Sequence, residues 1–256
     1  ISDDGDITTT RDYNSYVRQM DEIAELKYTE TSSYIRPGRI GDIGCAVGSW
    51  IKLACSDERL RESDFYGIEV ARHLFDICNQ RKHNSEFANP FVFFSQRNAV
   101  TGLVFEANSM NTIHTSSLTH EIESYGSRTE LLQSIRNRFQ ELASGGIWIN
   151  RDVLGPGQKD RLVLMKLNMI DGRNYDYDKT FTTREDLRDY LKGLSTYGRF
   201  LRFAMDFRKK ESYSVFFKEV TLHGQTYINI SLKDACEFMS RKDYIDNWQS
   251  EMHETF

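Results

Sequence analysis

Cysteine is sparse: Cys45, Cys55, Cys78 and Cys236 are the four in 256 residues, and no two form a C-x-x-C pair. That excludes the disulfide-dense scaffold of a small secreted domain and leaves reduced, mostly buried thiols as the expectation. No apolar run approaches the ~20 residues that a membrane helix needs. The opening residues, Ile1 to Asp6, are acidic where a secretory signal is basic and then apolar, so a cytoplasmic protein acting without a membrane is expected. Excess positive charge is missing as well. The 33 Lys and Arg against 38 Asp and Glu leave a formal net charge of −5, which removes the global attraction that draws a protein onto nucleic acid. Repeats, heptads and low-complexity tracts are absent too, which points to one compact body.

What is present is a folding composition, 39% hydrophobic and 12% aromatic. At 256 residues the chain suits one α/β domain with an insertion or cap. Residues 11–34 read as a helix because Tyr13, Tyr16, Val17, Met20, Ile23, Ala24 and Leu26 recur at helical spacing. A strand over 40–44 runs into a small-residue turn, with a helix over 49–55 straight after it. A strand over 65–70, a helix over 71–81 and a strand over 91–94 follow. Then come a strand over 110–115, a helix over 128–143 capped by Gly145-Gly146, and a strand over 147–150. Strands alternating with helices predict a doubly wound, mostly parallel sheet with helices on both faces, which takes ligands at the carboxyl ends of its strands. Residues 159–210 read as helical and polar, with a capped start at Thr182-Thr183, and residues 214–231 as a hairpin turned at His223-Gly224. The expected organisation is an N-terminal helical segment (1–37), a Rossmann-like core (38–155), and a cap that also completes the sheet (156–256), all in one domain.

The chemistry is concentrated in Asp42-Ile43-Gly44-Cys45-Ala46-Val47-Gly48, where a buried strand turns into a helix. Small residues at 44, 46 and 48 let the backbone pass close to a ligand. Glu69 ends the second strand, 21 residues after Gly48, where a carboxylate can accept the hydroxyls of a ribose. Asn98-Ala99 follows the third strand, and Ser144-Gly145-Gly146 opens the fifth. The nicotinamide fingerprint G-x-G-x-x-G fails twice, since its second and third glycines would be Ala46 and Ser49.

Taken in order across residues 38–152, these blocks resemble the class I S-adenosylmethionine-dependent methyltransferases. The resemblance implies the seven-stranded-type sheet of that family, with S-adenosyl-L-methionine as cofactor and S-adenosyl-L-homocysteine as product. It also implies that Gly44, Cys45, Ala46 and Gly48 approach the cofactor while Asp42 orders the loop. Glu69 and Val70 would hold the ribose, Asn98 and Ala99 would frame the adenine, and Thr115 would line the same site. Ala46 departs from the family's middle glycine, and Asn98 and Asn111 stand where it has acids.

For the acceptor side, His120 is the candidate base in Thr119-His120-Glu121, since a neutral imidazole takes a hydroxyl proton near neutral pH and a carboxylate can orient it. Glu121 is the second catalytic candidate, with Tyr125 and Asp152 as substrate-binding residues. No Asn/Asp-Pro-Pro-Tyr/Phe motif follows the fourth strand, which moves a small molecule methylated at oxygen ahead of a nucleic-acid base. An RNA or nucleotide acceptor is the rival, carried by Arg199, Arg202, Arg208, Lys209 and Lys210 if they line the cleft. A non-catalytic methyltransferase-like binding domain is the rival outside enzymes. His114, His120, Glu121 and Asp152 are metal-ligand types without metal-ligand spacing, so no metal is expected.

Overall fold

The computed structural model describes residues 13–254. Its contacts divide the chain into two compact units, where the sequence reads as one body; the first ends at Val153 and the second starts at Leu154.

The first unit runs α1 (Tyr13–Thr31), β1 (Arg39–Ile43), α2 (Ser49–Cys55), β2 (Asp64–Glu69), α3 (Arg72–His83), β3 (Val92–Gln96), β4 (Met110–Ser116), α4 (Thr119–Tyr125), α5 (Arg128–Glu141) and β5 (Leu142–Arg151). Its strands form one parallel sheet in the order β3-β2-β1-β4-β5. This is the doubly wound order, with the topological switch between β1 and β4. Alternation along the strands supplies two apolar faces. Ile40, Phe65, Val92 and Ile149 pack with Trp50 and Ile51 of α2 and Cys78 of α3 on one face. Ile43, Ile68 and Ile113 pack with Val104 and Phe105 on the other, where Trp148 meets Phe139 of α5 edge to face.

The expected strand count and two boundaries are corrected. The parallel sheet has five strands among the described residues, and the C-terminal strands do not complete it. The helix expected to reach 143 ends at Glu141, and Gly145-Gly146 lies inside β5. Gly145 has φ +76°, and a Cβ on Gly146 would stand 2.6 Å from the Met110 carbonyl oxygen. The pair thus serves the register shift between Met110 and Thr112 and does not cap the helix.

The second unit contains β6 (Leu162–Met165), α6 (Arg184–Lys192), α7 (Thr196–Asp206), β7 (Phe217–Leu222), β8 (Gln225–Ser231), α8 (Leu232–Arg241) and α9 (Trp248–Glu251). Its sheet is antiparallel, in the order β6-β8-β7. The hairpin turns at His223-Gly224 as expected, both at positive φ. β6 falls inside the stretch expected to be helical; its Val163 and Met165 pack on the core while Leu162 and Leu164 are exposed, a period of two too short to register in the sequence. Phe200, Phe203, Phe207, Phe238 and Trp248 form the core. Of the five cations expected there, Arg202 binds Asp206, Arg199 binds Asp243 and Arg208 binds Glu211, while Lys209 and Lys210 are exposed.

In the first unit, the loop between β3 and β4 hangs on one buried carboxylate. Glu141 Oε1 accepts the Val104 and Phe105 N–H groups at 2.6 and 3.2 Å, and Arg138, itself 1% exposed, grips both carboxylate oxygens. Glu141→Ala would orphan two N–H groups and leave Arg138 buried and unpaired. It is expected to lower the unfolding free energy by about 3–5 kcal/mol, measured as a fall in the urea midpoint; an unchanged midpoint contradicts this account.

Candidate active site

β1 ends at the switch point and its chain turns sharply. Gly44, Ala46 and Gly48 all adopt the left-handed region, at φ +72°, +48° and +77°. Glycine does so freely, whereas Ala46 costs on the order of 1–2 kcal/mol. Something must hold it, and that is Glu69. Its Oε2 accepts the Ala46 N–H at 2.9 Å, and its Oε1 accepts those of Val70 and Ala71 at 2.9 and 3.0 Å. Burial pushes the Glu69 carboxyl above its ordinary range, against the pull of the three N–H groups. The loop also hydrogen-bonds Ile68 O through the Gly44 and Cys45 N–H groups. A Cβ on Gly48 would press within 3.2 Å of Phe87 and Phe94, and the φ of +77° strains any larger residue there.

The loop-ordering role expected of Asp42 is therefore carried by Glu69. Asp42 is 3% exposed and points at its strand neighbour: its Oδ1 lies 2.7 Å from His114 Nδ1 across the β1–β4 pairing. The His114 ring is stacked on Trp50, with centroids 4.1 Å apart and planes within 5°. Trp50 Nε1 in turn donates to Thr31 Oγ1 of α1 at 3.1 Å. His114 Nε2 is buried without a hydrogen-bond partner, as is Ser116 Oγ two residues on.

Beyond β3, Asn98 Oδ1 accepts the Val100 N–H at 2.9 Å, an Asx turn that leaves the amide one oxygen lone pair and its NH2 for other partners. The Ala99 carbonyl faces Arg138. Asn111 lies at the far end of β4 from the switch, where its Oδ1 caps the Arg39 N–H at 2.8 Å. Thr115 is turned to the opposite sheet face from Asp42; its hydroxyl donates to Asn150 and accepts from Trp148 Nε1.

The ends of β4 and β5 bring together His120 and Asp152. His120 Nδ1 lies 2.6 Å from Asp152 Oδ1, and Asp152 Oδ2 accepts from the Thr119 N–H and hydroxyl at 2.8 and 2.6 Å. The His120 and Val153 N–H groups complete the set. Burial opposes ionisation of Asp152, but the hydrogen bonds from His120, Thr119 and Val153 overcome it and hold the carboxyl well below the usual range. Asp152, expected to bind substrate, is thus occupied in orienting His120. The partly buried Glu121 is next in the same helix, and Tyr125 closes that helix, 38% exposed.

Sequence reasoning missed Lys27. It lies on the α1 stripe of Ala24 and Thr31, half-buried, with no hydrogen bond or ion pair from its ammonium among the described residues. Burial lowers its basicity, with Arg151 acting in the same direction, although the charges of Asp42, Asp152 and Glu121 pull the other way. A lysine in a buried stripe was the available signal. Among the described residues, no group of three or more His, Cys, Asp or Glu is placed to hold a metal ion, and no helix is long and apolar enough to cross a membrane.

No family model matches the chain, and no curated protein does. Solved structures do. One is described as an S-adenosyl-L-methionine-dependent methyltransferase from Methanococcus maripaludis: 17% identical, covering 89% of this chain and 97% of that one, TM-score 0.42. A SAM-dependent methyltransferase from Aquifex aeolicus is 11% identical over 86% of this chain and 98% of that one, TM-score 0.42. Geranyl diphosphate C-methyltransferase from Streptomyces coelicolor A3(2), solved with S-adenosyl-L-homocysteine, is 11% identical over 66% and 57%, TM-score 0.42. The chain is thus similar to class I S-adenosylmethionine-dependent methyltransferases.

The depressed Asp152 carboxyl links stability to acidity. A carboxyl with a folded pKa below its unfolded value contributes stability that is present above the unfolded value, near pH ~4, and is lost as pH falls through the folded one. Asp152→Asn should therefore be less stable than the parent at pH 7, with the gap closing as the pH is taken below ~4. Denaturant melts at both pH values test this, and a gap of constant size rejects the Asp152 assignment.

Proposed function

We propose that the chain is an S-adenosylmethionine-dependent methyltransferase that acts on an oxygen of a small-molecule acceptor. The observation that carries this reading is the left-handed loop at Gly44, Ala46 and Gly48, clamped by Glu69 at the switch point and next, across the sheet, to the His120–Asp152 pair. The loop brings bare backbone to the carboxyl ends of the strands, where a doubly wound sheet takes its ligand. Gly44 to Gly48 would pass along the cofactor, with Glu69 and Val70 beside its ribose and Asn98 and Ala99 beside its adenine. Glu69 already accepts three N–H groups, so about one acceptor position of the ~4 on a carboxylate remains for a ribose hydroxyl.

Bound there, S-adenosylmethionine supplies an electrophilic methyl group on a sulfonium centre. The chain's own residues do the rest. With Nδ1 donating to Asp152, the neutral His120 ring carries its lone pair on Nε2 and can take the acceptor's hydroxyl proton. Asp152 fixes the ring and stabilises the imidazolium that forms. Glu121 and Tyr125, on the same helix, would line the acceptor. The pairing of Arg199, Arg202 and Arg208 with acids weighs against an RNA acceptor, and the assembled His120–Asp152 pair weighs against a non-catalytic domain.

Calorimetric titration with S-adenosyl-L-homocysteine, with NAD as control, tests the cofactor. Binding in the micromolar range to the first alone is expected, and absence of binding to it overturns the reading. His120→Ala should then keep that affinity and lose roughly 10²–10⁴-fold in turnover of an acceptor found by labelled-methyl screening; retained turnover removes His120 as the base.

A further inference from the structure

The loop that follows β1 is held from α3 as well as from β2. Cys78 and Arg81 stand three residues apart on α3 and share a helix face. Cys78 Sγ donates to the Ala46 carbonyl oxygen at 3.2 Å, and Arg81 Nη1 donates to that of Val47 at 2.9 Å. Two successive carbonyls of the loop are thus drawn toward α3. In a trans peptide the C=O and N–H point in opposite directions, so fixing the Ala46 carbonyl turns the Val47 N–H away from α3. The next peptide joins the Val47 carbonyl to the Gly48 N–H, which donates to the Cys45 carbonyl at 2.8 Å. Arg81 fixes the end of that peptide which the loop does not hold itself.

Arg81 is 2% exposed, and each of its five N–H groups is spent. Besides Val47, Nη1 donates to Ser49 Oγ at 3.1 Å, Nη2 donates to both carboxylate oxygens of Asp21 on α1 at 3.0 Å, and Nε donates to Glu86 at 2.9 Å. The Ser49 hydroxyl donates in turn to Asp21, which closes a ring of three side chains. Charge is supplied twice over: Lys52 lies 3.7 Å from Asp21 and 3.4 Å from Glu86, so both acids keep a cation without Arg81. The hold on Val47 is not duplicated. Val47 is fully buried, so without Arg81 its carbonyl goes unpaired or the peptide turns to find another partner. A lysine at 81 carries its three donors on one nitrogen and lacks the fork that meets Val47, Asp21 and Glu86 together. A cavity of about 550 Å³ lies beside the guanidinium, lined by Asp21, Arg81 and Glu86 and by the exposed Arg18, Glu22 and Glu25, so solutes reach this place from solvent.

We propose that Arg81 is a positioning residue for the cofactor: by holding the Val47 carbonyl and the Ser49 hydroxyl from behind, it keeps the loop from Gly44 to Gly48 in the conformation that binds. This deepens the methyltransferase reading and rests on it. Arg81 acts only through the loop, so its loss is felt in cofactor affinity and not in proton transfer at His120.

The test compares the parent chain with Arg81→Lys and Arg81→Ala by calorimetric titration with S-adenosyl-L-homocysteine and by amide hydrogen exchange across the first unit. Each measurement is repeated with millimolar ethylguanidinium, which restores the fork by way of the cavity, and with ethylammonium, which restores the charge alone. Arg81→Lys should bind S-adenosyl-L-homocysteine roughly 10–100-fold more weakly, with exchange hastened at residues 44–49 and unchanged in β2 and β4. Ethylguanidinium should return most of the affinity and protection to Arg81→Ala, and ethylammonium neither. A purely structural part for Arg81 predicts faster exchange throughout the unit and no difference between the two cations. That result, or an Arg81→Lys chain that binds as tightly as the parent, overturns the proposal. Where Arg81→Ala does not fold, affinity and exchange in Arg81→Lys decide. If the parent chain does not bind S-adenosyl-L-homocysteine, the methyltransferase reading falls, and exchange at residues 44–49 still decides whether Arg81 holds the loop.

Discussion

The Glu69 carboxylate is the interaction on which the rest of the site depends. It ends β2, yet its oxygens reach across to the Ala46 N–H of the neighbouring loop while also closing the turn at Val70 and Ala71. A residue with a Cβ holds a left-handed conformation only when its surroundings over-determine it, and at Ala46 this bond is what does so. Glu141 acts in the same way on the next loop along the sheet, through Val104 and Phe105. Two buried carboxylates thus shape the two loops that flank the strand ends. In each case the acid is stabilised by backbone N–H groups that would otherwise lack partners, so loop conformation and carboxylate burial are one constraint.

Much of this was legible in the sequence, for identifiable reasons. The loop from Asp42 to Gly48 announces itself through small residues between a short apolar run and a helix start, and Glu69 through its place at a strand end. The exchange of roles between Asp42 and Glu69 was not legible. It depends on strand register, since Asp42 faces His114 only because β1 lies beside β4, a non-local pairing that no spacing along the chain encodes. The same reason hid the Thr115 contacts with Trp148 and Asn150. β6 was missed because Leu162-Val163-Leu164-Met165 is shorter than the window over which helical and extended periods separate.

Lys27 shows a third way in which information hides. Within α1 it looks like one more solvated lysine, because the helix also exposes Ile23 and Leu26 and so blurs its own apolar stripe. Only the packing of α1 beside α2 reveals that the Ala24, Lys27 and Thr31 face is the inner one. A polar residue on an inner face carries a desolvation cost, and such costs are retained where they serve a ligand or a fixed geometry.

The two His–Asp pairs divide their work by burial. Both histidines present Nδ1 to a carboxylate at 2.6–2.7 Å, so the local chemistry of the pairs is nearly the same. His114 is sealed, 1% exposed beneath Trp50, whereas the His120 side chain keeps 11% of its surface at the rim of the sheet. A base that turns over must pass its proton to solvent after each cycle, which His120 can do directly and His114 cannot without displacing the indole. Exposure therefore sets apart two arrangements that hydrogen-bond geometry alone would not distinguish, and of the two His120 is the one suited to the proposed proton transfer.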